Sequence, residues 1–117
     1  MHSKILITGA SGLIGAEVLK KLGKDCEIFV ADRTITASKR QGNITYLPLD
    51  LSKSELCFDM PDNLDCVLHL AQSEKFRDFP ASAIEVFNVN TYSTLLLLDH
   101  ARRSGVKKFV YASSGGI

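Results

Sequence analysis

The chain has 117 residues, 45% apolar and 23% charged, with a formal net charge of +1. That length allows one domain with a real core and is short for an enzyme that also needs a substrate lobe. The scattered basic residues give no electrostatic footprint for nucleic acid, and no apolar run, including Leu95 to Leu98, is long enough to cross a bilayer.

In chain order, a strand over Lys4 to Thr8 breaks into Gly9-Ala10-Ser11-Gly12-Leu13-Ile14-Gly15 and reopens as a helix over Leu13 to Leu22. Gly9 lets the chain turn off the strand, Gly12 lets backbone approach a pyrophosphate, and Gly15 lets the helix pack close to the strand. The unpaired N–H groups and positive dipole end of the helix then face the phosphates, an anion site made of backbone. Gly23 ends the helix behind Lys20 and Lys21.

A second strand, Glu27 to Ala31, closes on Asp32, within the distance a dinucleotide fingerprint asks for. A carboxylate there accepts from the adenosine ribose hydroxyls and repels a 2′-phosphate, which favours NAD. Arg33, Lys39 and Arg40 lie nearby and offer an alternative, binding a 2′-phosphate and so NADP. The polar segment Thr34 to Asn43 is assigned no structure. A strand over Ile44 to Leu47 leads to Asp50 and Leu51, and Ser52 with Glu55 has capping-box spacing, so a short helix is expected near Ser54 to Phe58.

A fourth strand spans Cys66 to Leu70, followed by Ala71 and Gln72. One long helix is expected from about Ala81 to Ser104, entered through Pro80 and closed by Gly105. It carries an apolar row at Ile84, Phe87, Thr91, Leu95 and Leu98, plus Ala83, Val86, Leu97 and Ala101. The surplus leaves a second apolar face, buried within the domain or packed on another helix. The last strand is Phe109 to Ala112, followed by Ser113 and Ser114. Cys26, Cys57 and Cys66 lack C-x-x-C spacing and read as reduced core or near-core thiols, which places the protein in the cytosol; the first apolar run is too short for a signal peptide.

Alternating strands and helices predict an α/β doubly wound parallel sheet of Rossmann type, helices on both faces, in strand order 3-2-1-4-5. All the candidate residues fall at carboxyl ends of strands, the edge where such sheets bind ligands.

The Gly-x-x-Gly-x-x-Gly spacing after a threonine resembles the extended short-chain dehydrogenase/reductase family, the NAD-dependent epimerases and dehydratases of nucleotide sugars. Asp50-Leu51 resembles its adenine-contacting pair, and His69-Leu70-Ala71-Gln72 its His-Leu-Ala-Ala, with Gln72 a departure at the cofactor ribose. His69 itself reads as a satisfied strand histidine. Asn90-Thr91-Tyr92-Ser93-Thr94 resembles Asn-Val-x-Gly-Thr; Asn90 either ties the helix to the fourth-strand loop or contacts cofactor or substrate. By the same resemblance Ser114 takes the catalytic Ser/Thr position, its hydroxyl orienting a substrate hydroxyl or carbonyl. Gly115 and Gly116 stand where the dehydratases carry Asp-Glu, which argues against dehydration. The family's Tyr-x-x-x-Lys is absent from these residues.

The resemblance implies that residues 1–117 are the NAD(P)-binding portion of a longer enzyme, inactive alone, with the rest of the sheet and the substrate lobe beyond Ile117. The implied parent is an NAD-dependent epimerase, dehydrogenase or reductase of nucleotide sugars, with a homo-oligomer expected through the 81–104 helix. The alternatives are a non-catalytic dinucleotide-sensing module and a short self-contained protein that uses its second helix face for interaction.

Overall fold

The computed structural model describes residues 3–9, 13–22, 24–32, 35, 37–49, 61–70, 81 and 83–112. Strands β1 (Ser3–Thr8), β2 (Cys26–Asp32), β4 (Ile44–Pro48), β5 (Cys66–His69) and β6 (Lys108–Tyr111) pair in parallel. A short β3 (Lys39–Gln41) joins β4 antiparallel, so the sheet runs β3-β4-β2-β1-β5-β6. The five expected strands keep their expected order. The correction is the sixth, which lies in the segment assigned no structure: all three of its residues are exposed, so it carries no buried period to reveal it.

The helices are α1 (Leu13–Leu22), α2 (Ala83–Phe87) and α3 (Ser93–Arg103). They cover opposite faces because strand side chains alternate. Leu6, Ala31, Leu49, Leu64 and Val67 form one core layer with Ala101 of α3. Ile5, Ile7, Ile28 and Val30 form the other, against Val18, Leu19 and Leu22 of α1. Ser93, Leu97 and Ala101, at four-residue spacing, are the buried row of α3. Complete burial of Leu97 contributes about 2 kcal/mol of hydrophobic stabilisation. Cys26 and Cys66 are free, half-buried thiols, and burial pushes the Cys66 thiol pKa up; Cys57 lies outside the described residues.

The expected single helix is interrupted. Residues Asn88–Tyr92 form a π-helical turn between α2 and α3. Asn88, Asn90 and Thr91 are weak helix formers, and the Thr94 hydroxyl donates back to the Asn90 carbonyl at 3.2 Å, a local bond that competes with the regular ladder. At the far end the expected glycine stop is present. Gly105 has φ +72°, its N–H reaches Arg102 O, and Val106 N–H reaches Ala101 O, the paired bonds of a Schellman ending. The expected helix near Ser54 to Phe58, the Ser52 cap, Gly23 and Pro80 lie outside the described residues.

The second apolar face faces solvent rather than the domain's own core. Ile84 is 80% exposed, Phe87 55%, Leu95 61% and Leu98 42%, one stripe that runs through the π-turn. Among the described residues, no helix is long and apolar enough to cross a membrane.

Candidate functional site

In the sheet register Ala31, Thr8, His69 and Tyr111 form one row across β2, β1, β5 and β6. The next residues, Asp32, Gly9, Leu70 and Ala112, therefore leave from a single edge. Backbone bonds bind that edge together: Leu70 N–H donates to Thr8 O at 3.0 Å and Ala112 N–H to His69 O at 3.2 Å. On the other side, Asp32 O accepts Ile35 N–H at 3.3 Å and Leu49 N–H at 3.1 Å. The chain lays down β2 and β4 on one side of β1 and β5 and β6 on the other, so Gly9 and Leu70 flank the point where the winding reverses, the place an open α/β sheet offers a ligand.

Gly9 has φ +74°, a backbone conformation that a side chain strains, and it turns the chain off β1. Leu13 and Ile14 open α1, and Gly15 is buried within it, as close packing against the sheet requires. Asp32 is the last residue of β2, half-buried, and Thr8–Ala31 pairing sets it beside Gly9. Leu70 packs with the α1-side core, and Asn90 is half-buried in the π-turn. The structure therefore brings Gly9, Asp32 and Leu70 together at one edge. Ala10, Ser11, Gly12, Arg33, Asp50, Leu51, Ala71, Gln72, Ser113 and Ser114 lie outside the described residues.

Two of the cations behind the NADP alternative, Lys39 and Arg40, lie in β3. Arg40 stands level with Thr45 of β4 and Phe29 of β2, and its guanidinium lies 3.8 Å from Glu27, nearer the amino end of β2. That register is three residues short of Asp32 at the end of β2. An exposed pair of this kind adds little stability. Lys39, one register step nearer the ligand edge, is exposed.

Sequence reasoning did not find the hydroxyls around His69. The imidazole is fully buried, with Nδ1 2.5 Å from Thr8 Oγ1 and Nε2 2.8 Å from Thr94 Oγ1. Because Thr94 O–H donates to Asn90 O, its oxygen accepts from His69 Nε2–H, and His69 Nδ1 accepts from Thr8 O–H. The rings of Tyr111 and Phe109 stand 5.6 and 6.3 Å away by centroid. His69 is thus a satisfied strand histidine, as expected; the missed signal was a threonine at the end of each flanking element.

Burial lowers the His69 pKa from 6.5 to about 4. The folded chain then binds fewer protons than the unfolded chain between those values, so this contribution to stability is complete above pH 6.5 and is lost as pH falls toward 4. The loss attributable to His69 between pH 7.5 and 4.5 is about 2–3 kcal/mol. Urea unfolding at the two pH values should show that much less acid destabilisation in His69→Phe than in the native sequence; equal slopes would contradict a neutral buried imidazole.

The model of the NAD dependent epimerase/dehydratase family matches residues 5–117, and NAD is that family's cofactor. The chain is 29% identical over 119 residues to a UDP-glucose 4-epimerase of Azospirillum brasilense, covering 97% of this chain and 34% of that relative. It is also 29% identical over 117 residues to a UDP-glucose 4-epimerase of Vibrio cholerae, covering 97% of this chain and 35% of the relative. A crystal structure of UDP-galactose 4-epimerase superposes with a TM-score of 0.71 at 29% identity, over 96% of this chain and 38% of that one. The chain thus spans 34% and 35% of the lengths of the two curated relatives. A match over nearly every residue, on a sheet whose glycine turn leaves β1 at the switch point, establishes that this chain belongs to the NAD dependent epimerase/dehydratase family.

Proposed function

We propose that this chain supplies the dinucleotide-binding part of a longer NAD-dependent epimerase, dehydrogenase or reductase of nucleotide sugars. The observation that carries the reading is the Gly9 turn set beside Asp32 on adjacent strands, with α1 starting just beyond it. Backbone from Gly9 through Ala10, Ser11, Gly12, Leu13 and Ile14 to Gly15 would hold the pyrophosphate, and Asp32 with Arg33 the adenosine ribose. Asp50 and Leu51 would meet the adenine; Leu70, Ala71, Gln72 and Asn90 would line the crevice toward the reacting end. The chemistry a bound NAD supplies is hydride acceptance from a substrate carbon, with return to the opposite face in an epimerase. Ser114 would orient the substrate oxygen, and Gly115 and Gly116 carry no acid or base for water elimination. That two relatives are UDP-glucose 4-epimerases supports a nucleotide-sugar substrate.

The exposed Ile84, Phe87, Leu95 and Leu98 stripe supports a homo-oligomer formed through this helical segment. Charges placed in the stripe should separate the copies without touching the buried row of α3, from which Ala101 joins the sheet's core.

Three outcomes test this reading in the full-length protein. NAD should bind more tightly than NADP, and Asp32→Ala should narrow the gap, since it removes both the ribose acceptor and the repulsion of phosphate; a native preference for NADP in titration calorimetry would reject the assignment. Ser114→Ala should lower turnover about 100-fold or more with NAD affinity unchanged; an intact rate would move the role to Ser113. Sedimentation should show native oligomers that Phe87→Glu with Leu95→Glu converts to folded monomers, and a native monomer would remove the helix from the assembly.

A further inference from the structure

The ladder bonds of β2 and β5 hold Thr8 within the plane of the sheet. They do little to fix it along the sheet normal, where strands yield most readily. On the α3 face a hydrogen-bonded bridge adds that restraint, Thr8 Oγ1 to His69 to Thr94 Oγ1, and it continues to the Asn90 carbonyl of the π-turn. The bridge is stiff. Its imidazole and Thr8 are fully buried, and Tyr111 and Phe109 stand beside the ring. Thr8 is also the last residue before Gly9, whose φ of +74° begins the turn and whose missing side chain gives it no packing of its own. Where that turn begins is therefore decided by what holds Thr8.

We propose that His69 is a positioning residue for the cofactor site: it fixes the start of the Gly9 turn against the π-turn, so that NAD affinity depends on the Thr94 hydroxyl of another element. This rests on the reading of the Gly9 to Gly15 loop as the pyrophosphate site. The bridge spans the sheet-to-helix gap at one point, next to the loop. Cofactor affinity, and not stability alone, is then the quantity it governs, because a backbone anion site depends on N–H groups held in place before the ligand arrives.

The test is calorimetric titration of the full-length protein with NAD, beside thermal unfolding. Thr94→Val keeps the shape and removes the hydroxyl; it should raise the NAD Kd about 5- to 10-fold, the size of one neutral hydrogen bond. Thr94→Ser restores the hydroxyl and should stay within about 2-fold of native, while His69→Phe, which removes both bonds, should weaken binding more than Thr94→Val. If Thr94→Val and His69→Phe lower the melting temperature but leave the NAD Kd unchanged, the bridge is structural only and the proposal is overturned. Should His69→Phe fail to fold, the Thr94 pair decides. Gly12→Val and Asp32→Ala in the same assay separate the two readings. If they too leave NAD affinity unchanged, the loop assignment itself fails and the proposal falls with it; if they weaken binding and Thr94→Val does not, the proposal alone falls.

Discussion

Ile5, Leu6 and Ile7 are buried on both faces of the sheet, and one residue beyond Thr8 the chain leaves the strand at the Gly9 turn on the sheet's carboxyl edge. That transition from apolar interior to polar edge constrains the rest of the fold. Covering both faces requires α1 on one side and α3 on the other, and parallel pairing sends every strand exit to the same edge. The polar atoms that enter the interior near the edge must then be paired, since an unpaired buried group costs about 1–3 kcal/mol. Among the described residues no buried side-chain nitrogen or oxygen lacks a partner. Thr8, His69 and Ser93 are buried polar residues of that boundary.

What could be read from the sequence follows from which signals are periodic. Lys4 to Thr8, Glu27 to Ala31 and Cys66 to Leu70 are apolar runs between turn residues, and two-face burial produces such runs, so the strands and their order were legible. The Gly9 turn and the place of Asp32 at the end of β2 were legible because a left-handed backbone turn demands glycine and because the strand run ends in an acidic residue. β3 was not, since Lys39, Arg40 and Gln41 bury nothing and only pairing with Ile44 to Tyr46 makes them a strand. The π-turn was not, because apolar residues on both sides of Asn88 to Tyr92 fit one helical period closely enough to hide one inserted residue. The His69 bridge joins residues 61 and 25 positions apart, a separation that local pattern does not reach.

Charge shows the same division between local and tertiary signals. Asp99 holds Arg102 at 2.8 Å and Arg103 at 3.1 Å, helix pairs that spacing alone foretells. Those bonds draw the Asp99 pKa below its ordinary value, its hydrogen bond to Arg102 contributing most. Arg40, close to Asp32 along the chain, pairs in space with Glu27, a partner that spacing along the chain does not reveal.

A sheet held by backbone pairing between two apolar layers asks little of any one side chain, and so an identity of 29% to each of the two curated relatives is compatible with a retained fold. Departures from the pattern the sequence resembles stand at Gln72 in the fourth-strand motif, Ser93 at the usual glycine, and Gly115 and Gly116 after Ser114. Ser93 shows how such a departure is accommodated. It is buried to 1% in the row with Leu97 and Ala101, one residue before Thr94 closes the bridge to His69. A hydroxymethyl group in place of glycine's hydrogen there adds a polar atom at the boundary between helix and sheet, on a different element from the Gly9 turn.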